Sequence, residues 1–324
     1  MNGKRVLITG GLGFIGSNLA RRCLELGATV TIYDCLDPRS GGNMHNVEPF
    51  QNDVQIVLND IRNFEGVCAC IRNQDILFSC AAYTSHPNSM KEPLIDIDVN
   101  CKGVINLLEA ARRFNPQIKL VHVGTSTQIG KMQFERINEN HPEFPLDIYS
   151  ANKSASEKYV LIYANAYGMR GTVVRLTNCF GPRSNIVTPE FGFINFFIGL
   201  ALQGKDITVF GEGKQLRNVV YVDDAVEALV RAAQSDAADG QAFFAAHDQH
   251  HSVAQIAQTI VQHIGGRVRF VEWPRDRHTI EVGDNVFDNA KIKAALGWSA
   301  KVNFVEGLDK TGGYFRPRLK FYVR

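Results

Sequence analysis

No stretch of this sequence approaches the ~20 consecutive apolar residues that a membrane-spanning helix needs, and Met1 to Gly10 leads straight into a strand-like run instead of a signal peptide. The expectation is a cytoplasmic protein with no membrane partner. Neither charge sign is in excess: 35 Lys and Arg face 33 Asp and Glu, a formal net charge of +2, and no run of like charge stands out. That balance leaves no basic surface for gripping nucleic acid, so an anionic ligand has to meet a few placed arginines. Cysteine is sparse and odd in number. The seven are scattered, mostly among apolar neighbours where a small thiol packs well, and the one close pair, Cys68 and Cys70, has no second pair to complete a metal site. Internal repeats and low-complexity segments are missing too.

What is present is enough apolar material for a large core: 324 residues, 45% hydrophobic and 21% charged, suit one big α/β unit or two coupled ones. Short apolar runs at Val6–Thr9, Thr29–Asp34, Gln55–Leu58, Ile76–Cys80, Leu120–Gly124 and Thr172–Leu176 read as strands. Helical periodicity fills Ser17–Leu26, Asp98–Arg113 and Ser150–Tyr167 between them, the rhythm of a doubly wound parallel sheet. After Asn178 the rhythm breaks. Helices are expected near Phe193–Gln203, Asp224–Gln234 and Val253–Ile264, with a strand at Ile207–Phe210. The reading is a dinucleotide-binding domain over 1–178 and a smaller α/β substrate lobe over 179–324, with a strand near 240–246 returning to the main sheet.

Lys4 to Gly16 reads KRVLITGGLGFIG: a buried strand, then Gly10, Gly13 and Gly16 at three-residue spacing, then a helix. In that setting Gly10 permits the tight turn, Gly13 lets backbone approach a pyrophosphate, and Gly16 lets helix and strand pack closely. The pyrophosphate would rest on the helix N-terminus, where free N–H groups attract anions. Asp34 ends the second strand 18 positions after Gly16, near the spacing at which a carboxylate reaches both adenosine ribose hydroxyls. It would repel a 2′-phosphate, so NAD is expected over NADP. Without the glycine motif, Asp34 would read as a plain strand-end turn residue.

Tyr149 and Lys153 stand at i and i+4, on one face of a helix. A tyrosine with its ordinary pKa near ~10 is a poor base, but a nearby ammonium and a nicotinamide cation would stabilise its phenolate. Alone, such a pair is an ordinary surface contact. Thr125 and Ser126 follow a strand on the ligand-binding edge of the sheet, where a hydroxyl can hold a reacting sugar oxygen or merely cap the strand exit.

These segments, with Asn59-Asp60-Ile61-Arg62, Cys80-Ala81-Ala82, Asp98-Val99-Asn100, Arg175 to Pro182 and Gly211 to Asp224, occur in the order found in one family. The chain resembles extended short-chain dehydrogenases/reductases of the nucleotide-sugar epimerase/dehydratase family, those acting like UDP-glucose/galactose 4-epimerases. The resemblance implies that Tyr149, Lys153 and Thr125 are catalytic. It places Phe14, Ile15, Asp60, Ile61, Ala81, Ala82 and Asn100 around NAD, with Lys153 also on the nicotinamide ribose. It gives Asn178, Arg217 and Arg277 to the nucleotide sugar, Arg275 being a rival to Arg277, because an arginine fork pairs bidentately with phosphate. It implies a homodimer through helices at Asn100–Arg113 and Ser150–Tyr167.

In the 4,6-dehydratases of that family an Asp-Glu pair follows the catalytic threonine. Ser126 and Thr127 stand there in this chain, so water loss lacks its acid and epimerisation is the expected reaction, at C4 of a UDP-hexose. C2 epimerisation of a CDP-dideoxysugar, 4-ketoreduction and a non-catalytic NAD sensor are the alternatives. The sequence departs from the family at Ile129-Gly130, where a Tyr-Gly pair is usual, and at Phe244-Ala245-Ala246, while the loop His86 to Met90 and the stretch Arg183 to Phe193 match no single member closely enough to choose the nucleotide. His247, His250 and His251 lie in a polar loop and are not expected to bind metal. Asp223 and Asp224 read as helix caps, and Phe191, Phe193, Phe196 and Phe197 as core, with one ring near the nucleotide base.

Overall fold

A computed structural model describes residues 1–274 and 281–323. In chain order its strands are β1 (Arg5–Thr9), β2 (Thr29–Asp34), β3 (Val54–Leu58), β4 (Ile76–Ser79), β5 (Lys119–Thr125), β6 (Arg170–Leu176), β7 (Asn178–Phe180), β8 (Asp206–Phe210), β9 (Leu216–Tyr221), β10 (Ala242–Ala245), β11 (His250–Ser252) and β12 (Arg267–Val271). Seven of them form one parallel sheet in the order β10-β6-β5-β4-β1-β2-β3. Strands such as β4 are buried along their whole length and mostly apolar, because helices cover both faces.

The helices are α1 (Phe14–Glu25), α2 (Phe64–Ile71), α3 (His86–Lys91), α4 (Pro93–Ile97), α5 (Val104–Phe114), α6 (Ile148–Tyr167), α7 (Phe193–Leu202), α8 (Val222–Gln234) and α9 (Val253–His263), followed by Ala290–Leu296 and Phe304–Phe315. The single helix expected over Asp98–Arg113 is interrupted: a wide π-type turn, Asp98–Gly103, joins α4 to α5. Helix α6 begins where Asp147 Oδ1 accepts the Ser150 N–H at 2.8 Å, and ends at Gly168 in the left-handed conformation with φ +63°.

The return strand expected at 240–246 is β10, paired parallel to β6. The lobe beyond Asn178 adds a sheet in the order β11-β9-β7 and a β12–β8 pair. Asn218 fastens this lobe together, donating to the carbonyl of His247 at 2.7 Å and accepting from Thr177 Oγ1 at 3.0 Å. Asp223 and Asp224 do not cap α8, whose start has no side-chain cap. Asp223 pairs with Arg21 at 2.8 Å, while Asp224 Oδ2 accepts the N–H groups of Lys301 and Val302 at 3.0 and 2.9 Å. The Asp224 carboxylate thus satisfies two backbone donors of a distant segment instead of the start of its own helix.

Of the phenylalanines after Thr188, Phe197 is core, whereas Phe191 and Phe193 border the cleft described next. Among the described residues, no helix is long and apolar enough to cross a membrane.

Candidate functional site

A cleft of about 480 Å³ opens at the C-terminal ends of the parallel strands, between the main sheet and the lobe. One half is built by the loop from β1 into α1. Gly10 holds φ +67°, and a Cβ on it would lie 2.7 Å from the backbone nitrogen of Ala81. A Cβ on Gly16 would run into the Gly10 carbonyl. Gly13 caps α1 without a side chain, so the first N–H groups of the helix are left open toward the cleft that Gly13, Phe14, Ile15 and Gly16 line.

Asp34 lines the same half. Its two oxygens accept the Leu12 N–H at 3.0 Å and the Leu36 N–H at 2.9 Å, and burial pushes its carboxyl above the usual range against those bonds. Asp60, Ile61, Ala81 and Ala82 also line it. Burial would raise Asp60, but the Arg62 fork, with Nε 3.0 Å away, holds it below the ordinary value. Asn100 is buried behind the wall and does not line the cleft. It accepts the Tyr83 N–H at 3.0 Å and donates to the Tyr83 carbonyl and to Asp96, each at 2.8 Å, bracing the wall segment. A glycine cradle with no room for side chains, open helix N–H groups and a carboxylate at the second strand end fit NAD.

The other half brings Thr125 from the end of β5 together with Tyr149 and Lys153 from the first turns of α6. Thr125 stands beside the Tyr149 phenol and acts to lower its pKa. Burial pushes the phenol well above its ordinary range, Asp96 adds to the rise, and the Thr125 contact opposes it. The ammonium of Lys153 does not reach the phenol. It donates to the Val123 carbonyl at 2.7 Å and to His122 Nε2 at 2.9 Å. An ammonium has three donors, so one remains for the cleft that Lys153 lines. Burial lowers Lys153 to about 8. Within this chain alone, desolvation outweighs the lysine–tyrosine attraction that the spacing suggests.

His122 has no exposed surface, and burial together with the Lys153 charge lowers its imidazole well below the ordinary value. Lysine can only donate, so Nε2 accepts and the ring proton is on Nδ1, facing Ser79 Oγ at 3.0 Å. Sequence reading does not single out His122; a histidine amid the apolar residues of β5 is its only signal. It also misses His86, which lines the cleft with its ring centroid 4.8 Å from that of Tyr149 and its Nδ1 2.8 Å from Asp147 Oδ2.

Of the remaining expected residues, Asn178 lines the cleft and donates to the Asn218 carbonyl at 2.9 Å. Ser126 is buried outside the lining, its N–H on the Leu176 carbonyl, and Thr127 instead meets Thr125, hydroxyl to hydroxyl at 3.1 Å. Arg217 is also away from the lining, its guanidinium bound to Glu281 at 2.7 Å. Arg275 and Arg277 lie outside the described residues.

A parallel sheet wound on both faces, a glycine turn onto a helix N-terminus, and tyrosine, lysine and threonine converging at the strand ends define an NAD-binding short-chain dehydrogenase/reductase enzyme. The chain matches the NAD dependent epimerase/dehydratase family over residues 6–246, and it belongs to that family. It is 32% identical to the UDP-glucose 4-epimerase of Mycolicibacterium smegmatis, over 97% of this chain and 99% of that protein. It is 31% identical to the UDP-glucuronic acid decarboxylase 1 of Xenopus tropicalis, over 98% of this chain and 73% of that one. The solved UDP-glucose 4-epimerase of Thermus thermophilus in complex with NAD superposes with a TM-score of 0.87 at 30% identity, covering 97% of this chain and 99% of that one.

Proposed function

We propose that this chain epimerises a nucleotide-activated hexose, at C4 of a UDP-sugar, by transient oxidation to a ketone. The observation that carries the reading is the convergence of Thr125, Tyr149 and Lys153 on one cleft whose other half fits a dinucleotide. Bound NAD would supply reversible acceptance and return of a hydride. Tyr149 takes the proton of the sugar hydroxyl and later gives it back, and Thr125, beside the phenol, holds the same oxygen. Lys153 offers its remaining N–H to the nicotinamide ribose, and its charge favours the phenolate when the hydroxyl proton moves. Asn178 contacts the sugar diphosphate end of the cleft. Ser126 and Thr127, in place of an acid pair, favour epimerisation over water loss, and the likeness to UDP-glucose 4-epimerases supports the choice of carbon and nucleotide.

Helices α5 and α6 are read as the faces of a homodimer, and the protein as cytoplasmic. The test is to mix NAD-loaded protein with UDP-glucose and follow UDP-galactose by NMR. Interconversion is expected; turnover of another nucleotide sugar without this pair removes the C4 and UDP assignments. Tyr149→Phe is expected to keep its NAD while turnover falls by about 10²- to 10⁴-fold, and full activity in that variant would discard the base.

A further inference from the structure

Return of a hydride to the same carbon needs one proton site, the sugar hydroxyl, and Tyr149 serves it. The cleft holds a second acid–base group that this chemistry does not use. His86 begins α3 and Asp147 caps α6, 61 positions apart, and their side chains meet at the cleft wall, Nδ1 to Oδ2 at 2.8 Å. Helix capping uses only the other oxygen of Asp147, which takes the Ser150 N–H. Burial would raise Asp147, but its side-chain hydrogen bond with His86 holds the carboxyl below the usual range. A carboxylate on Nδ1 fixes the ring and its tautomer, leaving Nε2 as the basic nitrogen. Among the described residues Nε2 has no hydrogen-bond partner, and the imidazole stands edge-on to the Tyr149 ring, with centroids 4.8 Å apart and planes at 78°. The side chain is 38% exposed while lining the cleft, so a ligand can reach it.

We propose that His86, oriented by Asp147, is a further catalytic residue that removes and restores a proton on a carbon flanking the transient ketone. The inference rests on the oxidation step assigned above. Nε2 takes the C–H proton; the electron pair of that bond becomes the C=C bond, and the carbonyl electrons move to oxygen, giving an enolate. Tyr149, protonated by the sugar hydroxyl in the first step, donates to that oxygen, and Thr125 steadies it. Reversal returns the proton from Nε2 to carbon. No further oxidant or reductant is needed. Deprotonated carbon next to a carbonyl is the intermediate from which stereochemistry, or a leaving group, at a neighbouring position is changed. The substrate class this cleft suits is therefore a nucleotide hexose processed beside its oxidised carbon as well as at it.

The experiment uses the NAD-loaded full chain with UDP-glucose and UDP-galactose in D₂O, read by NMR and mass. Deuterium at C3 or C5 of recovered sugar is expected. C4 stays protiated, since it regains the hydrogen it lost. Interconversion of the two sugars with no deuterium at C3 or C5 overturns the inference and leaves the epimerase reading standing. Absence of any interconversion or NADH overturns both. His86→Gln keeps a donor for Asp147 but has no base, and its exchange per turnover is expected to fall by about 10²-fold; exchange at the wild-type ratio overturns the role. Should that variant fail to fold, Asp147→Asn, which keeps the α6 cap, answers the same question: its exchange ratio is expected to fall, and an unchanged ratio refutes the role.

Discussion

At the scale of single residues, the lysine in the cleft is set by a histidine beneath it. His122 accepts one N–H of Lys153 and the Val123 carbonyl another, which aims the third outward. Burial favours the neutral amine, so in the NAD-free protein Lys153 is an ammonium below about 8 and loses that charge as pH rises through it. His122→Phe removes an acceptor of the charged form, which lowers the lysine further. The alkaline fall of turnover is then expected to move to lower pH, and the melting point to drop by an amount equivalent to about 1–3 kcal/mol, the cost of a buried donor left without a partner. His122→Gln, which restores an acceptor, should recover part of both. An alkaline limb that stays in place in the Phe variant would show that His122 does not tune the lysine. Neither this pairing nor that of His86 with Asp147 was legible in the sequence. The partners are 31 and 61 positions apart, and only tertiary packing decides which histidine meets which neighbour.

At the scale of elements, what could be read was what local chemistry dictates. The strand–glycine–helix unit, α6 with its tyrosine and lysine one turn apart, and the six apolar runs all appear near their expected bounds. Strands β7 and β11 are three residues each, too short to show a period, and the π-type turn ahead of α5 leaves the apolar spacing almost unchanged. The aspartates at the start of α8 misled because cap residues and tertiary acceptors are the same residue types. The glycine unit offers the sharpest test. In Gly16→Ala the new methyl group has to displace the Gly10 carbonyl, which belongs to the turn itself. NAD affinity is expected to weaken by about tenfold or more, ~1.4 kcal/mol, with helical content preserved. Cofactor absorbance after denaturation, together with circular dichroism, checks this; a variant binding NAD as tightly as the parent would mean that the loop tolerates the shift.

At the scale of the whole molecule, the proposed homodimer makes a prediction about surface. Ile162 on α6 is 55% exposed, Tyr167 is 56% exposed, and Leu94 on the neighbouring α4 is 75% exposed, so apolar side chains face outward around the helices assigned to the interface. Ile162→Glu is expected to shift sedimentation from dimer to monomer, and a parent protein that sediments as a monomer removes the pairing. Strand β10 sets a different constraint on the chain as a whole. Every shortened version that stops at Asn178, the boundary expected from the sequence, discards Ala242–Ala245 and leaves the outer side of β6 as a row of unanswered amide and carbonyl groups. The cofactor half thus borrows its last strand from well beyond it in the sequence: during synthesis its sheet waits unfinished until Ala242–Ala245 has been made, and an engineer wishing to exchange lobes between relatives would have to decide which partner supplies that strand.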